Sequence, residues 1–381
     1  MQRIYLDNNA STAIHSDVLH VLQESLREVY GNASSVHKEG QRARQVIEDA
    51  RESVARLLGA TARDIVFTSG GTESNNAAIF GAVPHDGRHH IVTTSIEHPS
   101  VAEAVAELER RGNRVTRVAP PRSGGVTASS VIDAIEPDTR LVTVMLANNE
   151  TGVIQPVAGI ARACRERGLH FHCDAVQAAG KIDVDVIALD CDTLSISAHK
   201  MHAAKGIGAL YVRRGLTLRS HILGGAQERR RRAGTENVPL AAAFGAAAAI
   251  AADGSWRPRI AALRDRFEID LRSSFDVAIN GAAAPRVPTT TSATFAGVDA
   301  EGLVIALDLN GVAVSTGSAC SSGRVEPSAV LLAMGLSPEE AKSTVRFSMS
   351  RFTKEEELER VIALLHDLVP RCARQPVTGD R

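Results

Sequence analysis

The sequence has few aromatic residues, no long apolar run and almost no net charge. Of its 381 residues 3% are aromatic, and the formal net charge is −1. A surface that stacks bases and neutralises phosphates needs aromatic and basic residues, so we expect no direct contact with nucleic acid. The alanine-rich run 241–252 is too short to cross a bilayer, so we expect no membrane segment.

Cysteine is also scarce, because the chain has only five, scattered and without a CxxC pair. Such a set is typical of a reducing compartment. The N-terminus reaches an acidic residue, Asp7, too early for a signal peptide, so we expect a cytoplasmic protein. A chain of 381 residues that is 44% hydrophobic is typical of a globular protein with two domains.

Amphipathic helical patterns alternate with short apolar runs in the first two thirds of the chain. One helical pattern, 43–58, ends at Gly59. The strand-like runs are 65–68, 90–94, 141–146, 170–173, 192–196 and 207–212. Alternation of this kind predicts an α/β fold whose mostly parallel sheet is covered by helices. The polar segment 253–258 predicts a boundary between a large domain, 15–252, and a smaller α+β domain formed by 1–14 and 253–381.

Polar clusters follow the predicted strands at their C-terminal ends, where open α/β sheets bind ligands. We therefore expect the side chains of these clusters to converge on one site. They are Thr72, His98, Asn149, Asp174, Gln177, Ser197, His199 and Lys200.

Lys200 is the centre of this pattern, since it directly follows a buried strand in the tetrapeptide 197–200. Burial lowers the pKa of a lysine, and a neutral amine is what a Schiff-base lysine needs. The flanking Ser197 and His199 suit a phosphate group. The alternative is an ordinary lysine at a strand end that reaches solvent.

Other strand-end residues also have both a chemical and a structural interpretation. Gly71 and Thr72 suit a phosphate at a helix N-terminus, or Thr72 is simply the N-cap. Asp174 suits the protonated ring nitrogen of pyridoxal phosphate, or it caps a helix. His98 stacks on a ring and moves protons, or is a structural histidine before proline. His170 and His172 are interpreted as core or surface residues, not metal ligands.

Two residues of the second domain stand apart. Cys320 lies in a run of small residues with Arg324 nearby, which predicts an accessible, reactive thiol; the other cysteines are interpreted as small hydrophobes. Arg346 lies in a strand-like run and suits a carboxylate clamp, with an interdomain ion pair as the alternative. The basic run 229–232 is either a solvated face or close to a phosphate.

Several motifs together resemble the cysteine desulfurases of the class V, fold-type I pyridoxal-phosphate family, most closely the nitrogen-fixation and iron–sulfur-cluster type. The motifs are residues 68–74, 147–152, 198–200, 232–237 and 317–322, within a match that runs from Tyr5 to Glu359. The resemblance implies a transferase that converts L-cysteine to L-alanine. It also implies that Cys320 receives the sulfur as a persulfide, for iron–sulfur cluster assembly or another acceptor protein.

The resemblance also implies a role for each matching residue. Lys200 carries pyridoxal 5′-phosphate, Asp174 holds its ring nitrogen, Gln177 its ring hydroxyl, and His98 stacks on the ring and moves protons. The remaining cofactor residues are Gly71, Thr72, Asn149, Ser197, Ala198, His199 and, from the second subunit of a homodimer, Thr235. The substrate carboxylate is bound by Asn32, Asn149 and Arg346. No metal site is implied beyond transient iron–sulfur ligation by Cys320.

The chain also departs from the family pattern. It has Ala226 in place of a histidine, Arg230 near a usual glycine and Ala204 in place of a proline. These departures leave the sulfur acceptor open. A selenocysteine lyase, a class V aminotransferase or a C–S lyase would keep Lys200 and Asp174, and the last two would not need Cys320. A non-catalytic scaffold or sulfur-binding protein is the alternative outside enzymes, and it would need neither Lys200 nor Asp174.

Overall fold

The computed structural model describes residues 3–84, 88–316 and 326–374, so Cys320 and its motif lie outside the described residues. The strands are β1 Ile4–Tyr5, β2 Ile65–Thr68, β3 His90–Thr94, β4 Arg114–Val118, β5 Thr139–Met145, β6 His170–Asp174, β7 Thr193–Ser197, β8 Gly208–Val212, β9 Val277–Ile279, β10 Thr290–Phe295, β11 Val312–Ala313 and β12 Thr344–Ser348.

The helices alternate with these strands through the first part of the chain. They are α1 Ser16–Glu28, α2 Lys38–Leu57, α3 Gly71–Ala82, α4 Pro99–Arg110, α5 Ala128–Ile132, α6 Val157–Glu166, α7 Val186–Leu189, α8 Val238–Ala251, α9 Arg257–Ser274, α10 Ala300–Leu309, α11 Ala329–Ala333, α12 Pro338–Ala341 and α13 Glu355–Arg371. Short 3-10 turns cover Ala62–Asp64, Ala198–Lys200 and Gln227–Arg230. Among these helices, none combines the length and the apolar content needed to cross a bilayer.

The main sheet of the described residues has seven strands in the order β2-β8-β7-β6-β5-β3-β4. All neighbouring pairs from β7 to β4 are parallel, and β8 is antiparallel to both β7 and β2. The predicted mostly parallel sheet is confirmed. The strands β2, β3, β6, β7 and β8 are almost continuously buried, because helices cover both faces.

This topology brings the loops of interest to one edge. β3, β5, β6 and β7 are parallel, so their C-terminal ends meet there. Because β2 and β7 both pair antiparallel with β8, β2 points the same way and delivers residues 69–72 to the same edge. Gly208 of β8 lets this loop approach, since a Cβ there would lie 2.7 Å from the Gly70 Cα.

The local predictions differ from the structure mainly at element ends. Helix α2 begins earlier than predicted, at Lys38, with the His37 side chain as its N-cap. It ends just before Gly59, whose φ of +63° allows the chain to turn away. Thr72 is not an N-cap: α3 begins at Gly71 with Gly70 in the cap position, so that alternative is wrong.

Two large hydrophobic cores are separate in the described residues. The first lies against the main sheet and takes its members from Val18 to Ala251, joined by Val287. The second surrounds the antiparallel sheet β12-β10-β9 and combines Ile4 and Leu6 with residues of the C-terminal third. On this separation we propose the division into domains of residues 15–252 and of 1–14 with 253–381.

Candidate active site

A cavity of about 270 Å³ opens at the carboxyl edge of the main sheet. It is lined by Ala10, Gly71, Thr72, Asn75, His98, Ser100, Met145, Ala147, Asn149, Asp174, Val176, Gln177, Ser197, His199 and Lys200. The lining includes all eight residues that the sequence places at strand ends. The structure therefore brings together side chains from loops that lie up to about 130 positions apart in the chain.

Lys200 lines this cavity from the end of the 3-10 turn that follows β7. Its Nζ donates to the carbonyl oxygens of Asn9, at 2.5 Å, and Ala10, at 2.8 Å. No carboxylate of the described residues forms an ion pair with it. Burial, with the positive charge of Arg346, lowers the pKa of Lys200 to about 8. A substantial neutral fraction of the amine is therefore present near physiological pH, as nucleophilic chemistry requires.

Asp174, at the end of β6, is 5% exposed and faces the same cavity. Its carboxylate accepts hydrogen bonds from Asn75 Nδ2 at 2.8 Å and from the Val176 N–H at 3.0 Å. The alternative of a helix cap is wrong, because its oxygen holds a turn and the next helix begins at Val186. Neither contact supplies a positive charge, which a buried carboxylate favours. A cationic group in the cavity would complete its surroundings.

His98 has the structural role that the sequence allowed, and it also lines the cavity. Its Nδ1 accepts the Ser100 N–H at 3.1 Å and caps α4, whose first residue is Pro99. Burial, together with Lys200, lowers the pKa of His98 against the opposing effect of Asp174, which favours the neutral ring. Because Nδ1 accepts from the backbone, the proton of that neutral ring lies on Nε2.

The candidate phosphate residues form one side of the cavity. Gly71 lies so close to Val176 that a Cβ at this position would be 2.8 Å from a valine methyl group. Burial and the charge of Lys200 lower the pKa of His199 to about 4, so its ring is a neutral hydrogen-bonding group. Ala198 is buried and does not line the cavity; its N–H donates to the Ile207 carbonyl.

Arg346, on β12, does not line the cavity but contacts Asn149, which does. Its Nη1 donates to the Asn149 carbonyl at 3.0 Å and its Nη2 to Asp7 Oδ1 at 2.8 Å. The ion pair with Asp7 joins two segments of the proposed smaller domain, and the contact with the larger domain is the hydrogen bond to Asn149. Among the described residues, the buried Arg346 Nε and Asn149 Oδ1 have no partner. These two groups remain available to a ligand carboxylate and amine.

Besides Ala198 and Arg346, three more expected site residues are not placed in this cavity. Asn32 is exposed, and its Oδ1 accepts the Ser34 N–H at 2.9 Å. Thr235 lines a different cavity of about 220 Å³, together with Ser69 and Arg232. Cys320 lies outside the described residues. The basic run near Thr235 is partly neutralised, since Arg232 pairs with Glu73 at 2.9 Å.

Sequence reasoning missed residues that support the cavity from behind. Asn75 holds Asp174, and Asn9 accepts from Lys200 and Gln177 through its carbonyl. Glu97 is buried, and burial raises its pKa to about 8; its carboxyl accepts from Thr94 Oγ1 at 2.7 Å and the Met145 N–H at 3.0 Å. Their polar side chains lie near predicted strand ends, which was the one sign of a role in the site. Their hydrogen-bond partners are distant in sequence, so the sequence did not reveal these contacts.

The remaining histidines and cysteines of the core are structural. His172 bonds to Thr143 Oγ1 and Ser195 Oγ, and burial lowers its pKa to about 3. No group of three metal-ligating side chains is present in the residues that the structure covers.

Cys164 and Cys173 are buried in α6 and β6, while Cys191 is buried in the turn before β7 rather than in an element. Cys372 is half-buried at the end of α13.

Comparison with known proteins gives consistent relatives over the whole chain. The model of the family described as aminotransferase class V matches residues 4–361. A cysteine desulfurase of Nostoc sp. (strain PCC 7120) is 43% identical over 385 aligned positions, which cover 100% of this chain and 96% of that protein.

Solved structures agree with this result. A NifS-like protein superposes with a TM-score of 0.89 at 33% identity, covering 97% of this chain and all of the other. The structure described as SspA in complex with cysteine gives a TM-score of 0.82 at 35% identity, covering 92% of this chain and 100% of that one.

Proposed function

The chain belongs to the class V aminotransferase family and, within it, to the cysteine desulfurases, and from this premise we propose how its residues remove sulfur from L-cysteine. The fold is that of the fold-type I enzymes, and the chain is a transferase of the NifS-like kind. The observation that carries the residue assignment is the meeting, at one sheet edge, of two buried ionisable groups that have no ion-pair partner in the described residues. Lys200 contacts only carbonyl oxygens and Asp174 only N–H groups, although the charge of Asp174 acts on Lys200.

The residues of the cavity fit pyridoxal 5′-phosphate. Asp174 would hold the protonated ring nitrogen, whose positive charge the carboxylate otherwise lacks. Lys200 Nζ would form the covalent attachment, and Gln177 would contact the ring hydroxyl. The phosphate would lie against Gly71, Thr72, Ser197 and His199. Bound there, the cofactor supplies an electron sink for the substrate's α-carbon.

The other cavity residues bind the substrate and move protons. Arg346 binds the carboxylate of L-cysteine through its Nε–H, which has no partner in the described residues, and Asn149 binds it through its side-chain N–H groups. Lys200 Nζ exchanges a proton near neutral pH, because burial lowers its pKa to about 8. His98 helps to move protons as a neutral ring that offers its Nε2 N–H, since burial lowers the pKa of that ring. The Cys320 thiolate attacks the substrate sulfur, so that an S–S bond forms as the C–S bond breaks. The electron pair of the broken bond stays with carbon, which takes a proton and becomes alanine.

The proposal also covers the oligomeric state, the cellular location and the sulfur acceptor of the protein. We propose a homodimer in which Thr235 serves the cavity of the second copy, since it does not line the cavity of its own chain. The four described cysteines are free thiols, which supports a reducing, cytoplasmic setting. The persulfide on Cys320 would pass to iron–sulfur cluster assembly or to another acceptor protein.

The proposal is tested by measuring alanine and sulfide released from L-cysteine under a thiol reductant, with the wild type and Cys320→Ser. We expect equimolar products from the wild type and none from the variant. Cys372→Ser, at the half-buried cysteine of α13, is the matched control and should behave as the wild type. Turnover that survives Cys320→Ser would assign the chain to the eliminating lyases or aminotransferases. A clear preference for L-selenocysteine in the same assay would assign it to the selenocysteine lyases.

A further inference from the structure

Lys181 is a buried cation that the proposed chemistry does not use. It lies four residues after Gln177 and is 5% exposed. Its Nζ donates to Gln177 Oε1 at 2.6 Å and to Asn9 Oδ1 at 2.8 Å, and no carboxylate of the described residues pairs with it. Burial, followed by the charges of Lys200 and Arg346, holds the pKa of Lys181 well below its usual value. A buried lysine without a carboxylate partner destabilises the fold, so its contacts indicate a role other than stability.

These contacts determine which way the Gln177 amide points. The Nζ has two oxygen acceptors at hydrogen-bonding distance, so it must donate to both. The amide oxygen of Gln177 is therefore directed towards Lys181, and the amide nitrogen lies on the other side. One N–H of that nitrogen donates to the Asn9 carbonyl at 2.8 Å. Because Gln177 lines the cavity, the second N–H is the group it can offer to a ligand.

Asn9 extends the same network to Lys200. Its side-chain oxygen accepts from Lys181, and its carbonyl accepts from both Gln177 and Lys200. Its Nδ2 donates to the Asn149 carbonyl at 3.0 Å and to Thr290 Oγ1 at 2.9 Å. Removing the ammonium would leave two buried amide oxygens without this donor. The Asn9 amide would still be held through its Nδ2, whereas the Gln177 amide would lose the contact that directs its oxygen away from the cavity.

We propose that Lys181 is a positioning residue that fixes Gln177 as a hydrogen-bond donor towards the ring oxygen of the cofactor and thereby favours the ionised form of that oxygen. The inference rests on the proposed function, because it needs the cofactor in this cavity. A donor stabilises an ionised oxygen, whereas a rotated amide would present its own oxygen and repel it. Lys181 acts through Gln177 and does not touch the reacting atoms.

The test is a pH titration of the cofactor absorbance in the purified holoenzyme. For Lys181→Met we expect the midpoint to rise by about one pH unit, equivalent to a tenfold change in the protonation equilibrium. We expect kcat to fall while the KM for L-cysteine changes less than twofold, since Arg346 is untouched. Lys342→Met, at an exposed lysine of the smaller domain, is the matched control and should keep the wild-type midpoint.

A double-mutant cycle separates positioning from a direct effect of charge. Gln177→Leu should raise the midpoint by as much as Lys181→Met, and combining the two should add less than 0.3 pH unit if Lys181 acts through Gln177. Full additivity, or an unchanged midpoint in Lys181→Met, would overturn the inference.

If Lys181→Met does not fold, Gln177→Glu tests the same geometry. It keeps the contact with Lys181 but offers no N–H to the cavity, so an unchanged midpoint would again reject the role. A wild-type protein that shows no cofactor band at all would instead reject the proposed function.

Discussion

Two buried regions of this protein treat positive charge in opposite ways. Between α2, β2 and the 3-10 turn at Gln227–Arg230, Arg51 makes a bidentate pair with Glu228, at 2.6 and 2.8 Å. In the cavity and directly behind it, Lys200 and Lys181 contact only carbonyl and amide oxygens among the described residues. In the first region the buried cation is paired with a carboxylate, while in the second neither lysine forms an ion pair with one.

The difference indicates what each region is for. Burial alone would lower the pKa of Arg51, but the hydrogen bond and charge of Glu228 raise it, so the guanidinium stays charged. Glu228 also accepts the Phe67 N–H at 2.9 Å, which ties the loop to the edge strand β2. At Lys200 burial and Arg346 lower the pKa to about 8, which makes the amine available for chemistry. The paired Arg51 therefore holds the fold, whereas the unpaired Lys200 is available for chemistry.

The largest effect is expected at Lys200. Lys200→Ala should abolish the cofactor absorbance and all turnover, because no other cavity residue of the described chain offers an amine to the cofactor. The folded state of the wild type binds fewer protons at Lys200 than the unfolded state between pH 8 and 10.5. The free energy of unfolding of the cofactor-free protein should therefore rise with pH in this window, by up to about 1.4 kcal/mol per pH unit.

Chemical denaturation of the cofactor-free wild type and Lys200→Ala across this window measures that contribution. The variant should lack it and be no less stable than the wild type at pH 7. Residual turnover in Lys200→Ala would show that Lys200 does not carry the cofactor. A large loss of stability would show that its charge is stabilised in the folded protein.

The paired region should show the reverse pattern. Arg51→Met leaves Glu228 buried without its cation and should lower the free energy of unfolding by about 3–5 kcal/mol. Arg56→Met, on the exposed face of the same helix, should change it by less than about 0.5 kcal/mol. The double variant Arg51→Met with Glu228→Gln should recover part of the loss, because no isolated charge remains. Urea unfolding measures all three, and a loss below 1 kcal/mol for Arg51→Met would show that the pair does not hold this region.

The two regions also differ in how far the sequence predicts them. The strand-end residues of the cavity were predictable because each lies directly after a short apolar run, which is a local signal. The parallel topology then brings those ends together without further information. Asp174 and Lys200 could be placed in this way, since their position follows from β6 and β7 alone.

The partners that complete each region have no local signal. Asn9 contacts Lys181 across 172 positions, and Arg51 meets Glu228 across 177. A single sequence gives no indication that such residues touch, so Lys181 has only the pattern of an exposed lysine beside a turn. Asn32 shows the opposite mismatch, since the family pattern predicts it in the site. In this structure it is exposed, and its side-chain oxygen accepts the Ser34 N–H.

The smallest expected effect lies in the backbone of the paired region. Glu228, Arg229 and Arg230 have φ values of +45°, +58° and +64°, a left-handed turn made without glycine. The burial and pairing of Glu228 compensate for this strain, whereas Arg230 is exposed and has no such compensation from burial. A residue with a Cβ costs about 1–2 kcal/mol in this conformation, and the greater chain entropy of glycine offsets about half of that.

Arg230→Gly should therefore raise the free energy of unfolding by about 0.5–1 kcal/mol and leave turnover unchanged. Arg231→Gly is the matched control: its φ is −91°, so glycine relieves no strain there and should lower stability by a similar amount. Urea unfolding of both variants decides the matter. If both glycine substitutions lower the free energy of unfolding equally, the left-handed turn carries no strain at Arg230. The Arg230 side chain would then make a stabilising contact of its own.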